Sequence, residues 1–334
     1  MKALTAVTAM LLAGVALSRP AAAETIEDAM ASTYSTNPTL LAQRSALRAT
    51  DEGAAQAGAG WRPTVQFVGN YGKAIQYKNT VVNVSNGETE PLSPNEQTLQ
   101  LLQPLYLGGR IESQIQSAEA LVKAGRAQLD STEEQVLLQG ATAFMDVLRD
   151  QAIVELNKSN VEVLRKQLEA TQDRFRVGEL TRTDVAQSEA ALQGAIAARV
   201  QAEGNLVQSR TNYLRVVGRL PEKLVHPAGL PELPTNESDA TEIAFKGNPD
   251  LLNATYTEES AAYDIDTAFG ALLPSVSLEG DLIRGEDQQD RDLVTKQAQV
   301  LAKVTVPFYQ SGAEYSAVRQ KKDVDSQRKM QVAI

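Results

Sequence analysis

The sequence predicts a mainly α protein with β: long antiparallel helical hairpins joined to four amphipathic strands. Three observations carry this. Residues Arg110 to about Arg176 hold no proline and repeat an apolar or small residue every seven positions. Two prolines, Pro63 and Pro274, each open a run with period-two polarity. A set of landmarks also recurs in order: Asn37-Pro38-Thr39-Leu40-Leu41 returns as Asn248-Pro249-Asp250-Leu251-Leu252, 211 residues later, and Pro63-Thr64-Val65 returns as Pro274-Ser275-Val276.

Taken in chain order, residues 1–23 read as a signal peptide. Lys2 supplies the charge, Ala3 to Leu17 an uncharged run, and Ala21-Ala22-Ala23 the small residues before a cut that leaves Glu24 first. Residues 24–220 form a first structural repeat. It opens with a helix over Thr39 to Ala59. A strand follows in which Val65, Phe67, Gly69 and Tyr71 share a face against Thr64, Gln66 and Asn70. Lys78 to Pro94 reads as a turn-rich loop, and Thr98 to Tyr106 as the return strand. The long helix then runs with Ile111, Ile115, Ala118, Val122, Gly125, Leu129, Thr132 and Val136 on one stripe. At 1.5 Å per residue it would reach about 100 Å. Val177-Gly178-Glu179 breaks it, Thr181 or Thr183 can cap a second helix, and Gly218 and Pro221 end that one. Residues 221–240 are a Pro-rich linker.

Residues 241–334 form a second repeat, incomplete at its end. Val276, Leu278, Gly280 and Leu282 alternate with Ser275, Ser277, Glu279 and Asp281. Val300, Ala302, Val304, Val306 and Phe308 alternate around Lys303 and Thr305. Pro104-Leu105-Tyr106 with Gly108-Gly109 returns as Pro307-Phe308-Tyr309 with Gly312, now offset by 203, so Ile334 aligns with Ser131. The expectation is that the natural gene either encodes ~90 further residues that complete the repeat or is a degraded copy, and that residues 24–334 alone do not form a conducting trimer.

Composition narrows the function. The chain has 32 basic and 42 acidic residues, one histidine and no cysteine. Net charge −10 argues against a nucleic-acid partner. Without cysteine there are no disulfides or thiolate ligands. His226, in a Pro-rich stretch, reads as a loop residue, so no Ser/His/Asp set can be assembled. Gly108-Gly109 lacks the Lys-Ser or Lys-Thr of a phosphate loop. No enzyme, cofactor or metal is expected. No run after Ala23 has the roughly 18 apolar residues of a spanning helix. Alternating strands of about ten residues fit either a transmembrane β-barrel or a soluble amphipathic hairpin, and the export signal favours the barrel. The alanine-rich helices fit a curved wall or a soluble coiled coil.

Asn37-Pro38 and its repeat, Gln103-Pro104-Leu105-Tyr106 with Gly108-Gly109-Arg110, Arg174-Phe175-Arg176-Val177-Gly178, Thr183-Asp184-Val185, and Val306-Pro307-Phe308-Tyr309 with Gly312 resemble the TolC-type outer-membrane efflux and secretion channel family. The resemblance covers essentially all of the chain after Ala23. It implies a homotrimer sharing one outer-membrane β-barrel above a hollow helical cylinder in the periplasm. It implies docking of a periplasmic adaptor, itself joined to an inner-membrane ABC or proton-driven exporter. It places the adaptor-docking tip at Val177, Gly178, Glu179 and Leu180, with Asp184 in tip gating. Relatives often carry an apolar residue where Glu179 stands. Val65, Phe67, Val276, Leu278, Val304 and Val306 would face lipid. The alternative is a periplasmic coiled-coil adaptor or scaffold without a pore, although such adaptors do not duplicate a helix-strand-strand-helix unit.

Overall fold

The computed structural model describes residues 24–78, 88–227, 229, 234, 236–288 and 292–333. The expected signal peptide lies outside the described residues, as do the Asn86-Gly87 turn signal and parts of the Pro-rich linker and of the charged Arg284 to Asp292 loop. The elements are α1 (Ile26–Thr36), α2 (Pro38–Ala59), β1 (Thr64–Tyr71), β2 (Ala74–Lys78), β3 (Glu88–Leu92), β4 (Asn95–Leu107), α3 (Arg110–Arg176), α4 (Arg182–Val217), α5 (Glu237–Gly247), α6 (Pro249–Phe269), β5 (Ser275–Glu286), β6 (Val294–Thr305) and α7 (Ala313–Val332). None of the described helices is long and apolar enough to cross a membrane.

Helix boundaries follow local chemistry. Asn37 and Asn248, the repeated asparagines, are both N-terminal caps. Their side-chain oxygens accept from Thr39 N at 2.9 Å and from Asp250 N at 2.8 Å, and each is followed by the proline favoured at the first helical position. Two elements were not expected. Helix α1 begins with Thr25 and Asp28 in a reciprocal capping box. Helix α5 begins at Glu237, inside the segment read as irregular, behind an Asn236 cap.

The chain divides into two compact units. One holds the described residues of Met1–Leu41 and Glu133–Leu233, the other Ala42–Thr132 and Pro234–Ile334. This division runs through α3 and so differs from a partition into sequence halves.

In the first unit Ala29, Ala143, Phe144, Val147, Leu148, Tyr213, Val216 and Val217 form the core. Gly140 lets α1 approach α3, since a Cβ there would lie 2.9 Å from Thr33 Oγ1. The last carbonyls of α4 need partners. Val217 O accepts from the Ser32 and Thr36 hydroxyls at 3.0 and 3.3 Å, and Val216 O from Asn37 Nδ2 at 3.3 Å. Glu24 is buried. Its carboxylate accepts from Tyr213 Oη at 2.5 Å, pairs with Arg219 at 2.8 Å and accepts from Glu222 N at 3.2 Å. Burial, then the Glu24 carboxylate, pushes the Tyr213 phenol well above its ordinary range.

In the second unit the predicted stripe of α3 is turned inward: Gly125, where a Cβ would meet Leu47 Cδ1 at 3.2 Å, faces α2. A second inward stripe, Ser117, Ala120, Ala124, Ala127 and Ser131, faces the α6 side. Small residues carry little hydrophobic signal, which is why the sequence reading missed it. Polar groups cross this seam. Ser117 and Ser260 hydroxyls lie 2.9 Å apart, and Ser117 donates to Asp264 Oδ1 at 2.9 Å. Lys321 of α7 donates to Asp264 Oδ2 at 2.7 Å, and Asn253 donates to Ala124 O at 2.8 Å.

The main sheet has the order β1-β4-β5-β6, antiparallel throughout. Strand β4 carries an irregularity between Pro104 and Tyr106 against β5, where Pro104 lacks the N–H a regular ladder needs. Two expectations are corrected. The segment read as the Lys78 to Pro94 loop holds strand β3, which pairs with β2 immediately before it in a two-stranded sheet. The fourth strand begins at Val294, six residues earlier than Val300, and stops at Thr305, so Val306 and Phe308 lie beyond it. Pro307 offers no N–H to extend the ladder. Upstream, Thr295, Lys296 and Gln297 hide a strand because neither face is apolar there.

Candidate functional site

Two features stand out, one in each unit: the turn between α3 and α4, and the two-faced sheet. The turn closes α3 with a Schellman motif. Gly178 adopts φ +82°, its N–H donates to Phe175 O at 3.0 Å, and Glu179 N donates to Arg174 O at 3.0 Å. A Cβ at Gly178 would meet nothing within 4 Å, so glycine is required for its backbone conformation and not for space. Thr181 then caps α4 in a second reciprocal box. Thr181 N and Oγ1 both donate to Asp184 Oδ2 at 2.8 Å, and Asp184 N donates back to Thr181 Oγ1 at 3.4 Å. These bonds, led by the Thr181 backbone N–H, hold the Asp184 carboxyl below its ordinary range.

The choice between Thr181 and Thr183, open in the sequence, therefore falls to Thr181. The Thr-x-x-Asp spacing was the available signal. Val177, Gly178 and Glu179 are exposed and Leu180 half-buried. Val177, 73% exposed, presents an apolar side chain to solvent at the hairpin end. Behind it a groove of about 450 Å³ opens between the helices, lined by Arg174 and Thr171 of α3 and by Leu180, Asp184 and Ser188 on the other side. Asp184 is thus committed to a cap while edging this groove.

The sheet sorts most of its side chains by polarity, with Leu102 and Leu301 as apolar exceptions on the polar side. The register aligns Val65, Leu101, Gly280 and Val300 in one row and Phe67, Leu99, Leu282 and Ala298 in the next. Leu278 faces Ala302 and Val276 faces Val304 on the same side. Five of the six residues expected on the lipid side, Val65, Phe67, Val276, Leu278 and Val304, therefore share one face; Val306 follows the strand's end. Val65, Phe67 and Val304 are exposed, Val276 and Leu278 half-buried. The opposite face carries Gln66, Gln100, Asp281 and Gln299 in one row. There Gln299 donates to Asp281 at 2.9 Å and Lys303 pairs with Glu279 at 3.1 Å.

An antiparallel sheet with one mainly apolar and one mainly polar face, in a chain with a long helical hairpin, fits the class of outer-membrane channel proteins. The fold is similar to the Campylobacter jejuni CmeC outer membrane channel, with TM-score 0.80 and 16% identity, covering 92% of this chain and 66% of that one. It is similar to CusC with TM-score 0.79 and 13% identity, covering 92% and 71%. The chain belongs to the outer membrane efflux protein family, whose profile matches residues 30–219. It is 32% identical to the outer membrane efflux protein BepC of Brucella suis biovar 1 (strain 1330) over 336 residues, spanning 98% of this chain and 70% of BepC.

Proposed function

We propose that this chain is the outer-membrane channel subunit of a tripartite efflux pump, a passive conduit through which an energised inner-membrane exporter expels its cargo. The observation that carries this is the sheet. Its apolar face has no protein cover among the described residues, and β1 and β6 each pair on one side only. In hydrocarbon, unpaired backbone groups cost several kcal/mol each, so such a sheet must close on copies of itself. Three copies give a twelve-stranded barrel, in keeping with the trimeric channels of this family. The Val177 to Leu180 turn would dock a periplasmic adaptor, with Asp184 beside it in tip gating. An ABC or proton-driven transporter would supply the energy, and type I protein secretion uses the same architecture. Export would begin with cleavage after Ala23.

The test is fractionation. The full-length gene product should appear in the outer membrane as a heat-sensitive trimer, begin at Glu24 by N-terminal sequencing, and conduct in planar bilayers. Recovery in the soluble periplasmic extract would instead support the coiled-coil scaffold and sink the channel.

A further inference from the structure

On the side away from the helices the apolar face of the sheet is interrupted by charge, with Tyr71 and Val294 in the row beyond. Beyond the Phe67, Leu99, Leu282 and Ala298 row comes a row of Gly69, Gln97, Arg284 and Lys296. Arg284 and Lys296 are direct cross-strand partners. Like charges in that position repel, and nothing in the strand pairing calls for them. The ion pair of Arg284 with Glu286, at 2.5 Å, offsets part of the repulsion. Lys296 has no ion-pair partner among the described residues. By register these three are the charged side chains of this face, and they sit together at its far end. Arg284 and Lys296 line a shallow cavity of about 450 Å³ with Phe67, Leu99 and Leu282. All of its lining comes from one chain.

An apolar floor with two cations on one rim fits an amphiphile whose acyl chain lies on the floor and whose anionic head meets the rim. From this juxtaposition we infer that Arg284 and Lys296 form a docking site for a phosphorylated lipid of the surrounding leaflet. This rests on the outer-membrane reading above, which turns this face to lipid and this end of the sheet to the outer leaflet, where phosphorylated glycolipid is abundant. The guanidinium fork suits two phosphate oxygens, and the Lys296 ammonium supplies a point charge beside it. Glu286 competes for Arg284 and would be released when phosphate binds.

The experiment uses the full chain, extracted from outer membranes, delipidated in mild detergent and titrated with bis-phosphorylated lipid A under native mass spectrometry. Saturable binding is expected, weakened about fivefold by Lys296→Gln and about 25-fold with Arg284→Gln added, at about 1 kcal/mol per basic residue. Glu286→Gln should strengthen binding. Lipid A stripped of phosphate should bind weakly and equally to all variants, and inorganic phosphate should not compete at equal concentration. Equal binding of lipid A to wild type and double variant, or equal binding of both forms of lipid A, would overturn the site. So would competition by inorganic phosphate, which needs no lipid. Fractionation separates the two levels: wild type absent from the outer membrane removes the channel reading, whereas wild type present there without phosphate discrimination removes only this inference.

Discussion

Substituting Val300 by arginine tests the orientation of the sheet at its most sensitive point. Val300 lies opposite Gly280, four residues from the Val276 end of the face and four from its charged end at Arg284. Eight rises of about 3.3 Å, tilted about 40°, span about 20 Å along the membrane normal, most of a band about 25 Å tall. Val300 is therefore near the midplane, and it is 72% exposed in the free chain. Arginine there should cost about 2–4 kcal/mol, or roughly 30- to 1,000-fold in the folding equilibrium. Leu301, one residue on, points to the other face opposite Glu279, so Leu301→Arg should be close to neutral. Val304, four residues nearer the helices, should cost about 0–1 kcal/mol as arginine. The assay is urea unfolding of detergent-purified, heat-sensitive oligomer, with outer-membrane yield as a second reading. Equal losses at 300 and 301, or none at 300, would refute the assignment of the two faces.

Further outcomes follow from the geometry of the turn and of the first unit. Gly178→Val should raise hydrogen exchange of the α3–α4 turn and impair export while leaving oligomer yield intact, since a β-branched residue at φ +82° costs about 1–2 kcal/mol locally; unchanged exchange would contradict it. Thr181→Ala should lose about 1 kcal/mol of cap stability. Because the folded Asp184 carboxyl titrates below its unfolded value near 3.8, its contribution is intact above that pH and lost as pH falls further. Turn protection should therefore drop on acidification below about pH 4, and Asp184→Asn should remove that dependence. Glu24→Ala leaves the buried Tyr213 hydroxyl without its carboxylate and should destabilise the first unit by about 1–3 kcal/mol, read by chemical unfolding. The raised Tyr213 phenol adds an alkaline effect: stability held below about pH 10 should decline above it, and Tyr213→Phe should flatten the decline.

How far the sequence reached depended on how strongly each feature was written in polarity. The 67-residue α3 was readable because nothing interrupts its heptads, and the apolar sheet face because Val276, Leu278, Val300 and Val304 alternate with polar residues. The turn at Gly178 was readable as a break, but its Schellman bonds are backbone events with no side-chain signature. Strands β2 and β3 and the first half of β6 escaped because their pairing depends on backbone hydrogen bonds across residues of unremarkable polarity. The Glu24 clamp was invisible for another reason: its partners Tyr213 and Arg219 are nearly 200 positions away. Asp184 was singled out through resemblance, whereas the structure adds the local reason it is tied down.

The polar groups between α3, α6 and α7 act on sliding. A seam lined by alanine and serine is smooth, and two helices meeting along it could shift by a turn, about 5.4 Å, at little packing cost. Such a shift would carry Asp264 away from Ser117 and Lys321 together, breaking both hydrogen bonds to its carboxylate at once. Ser117, Asp264 and Lys321 work as a pin through a lubricated joint. By its geometry this pin opposes motion along the helix axes more than roll about them.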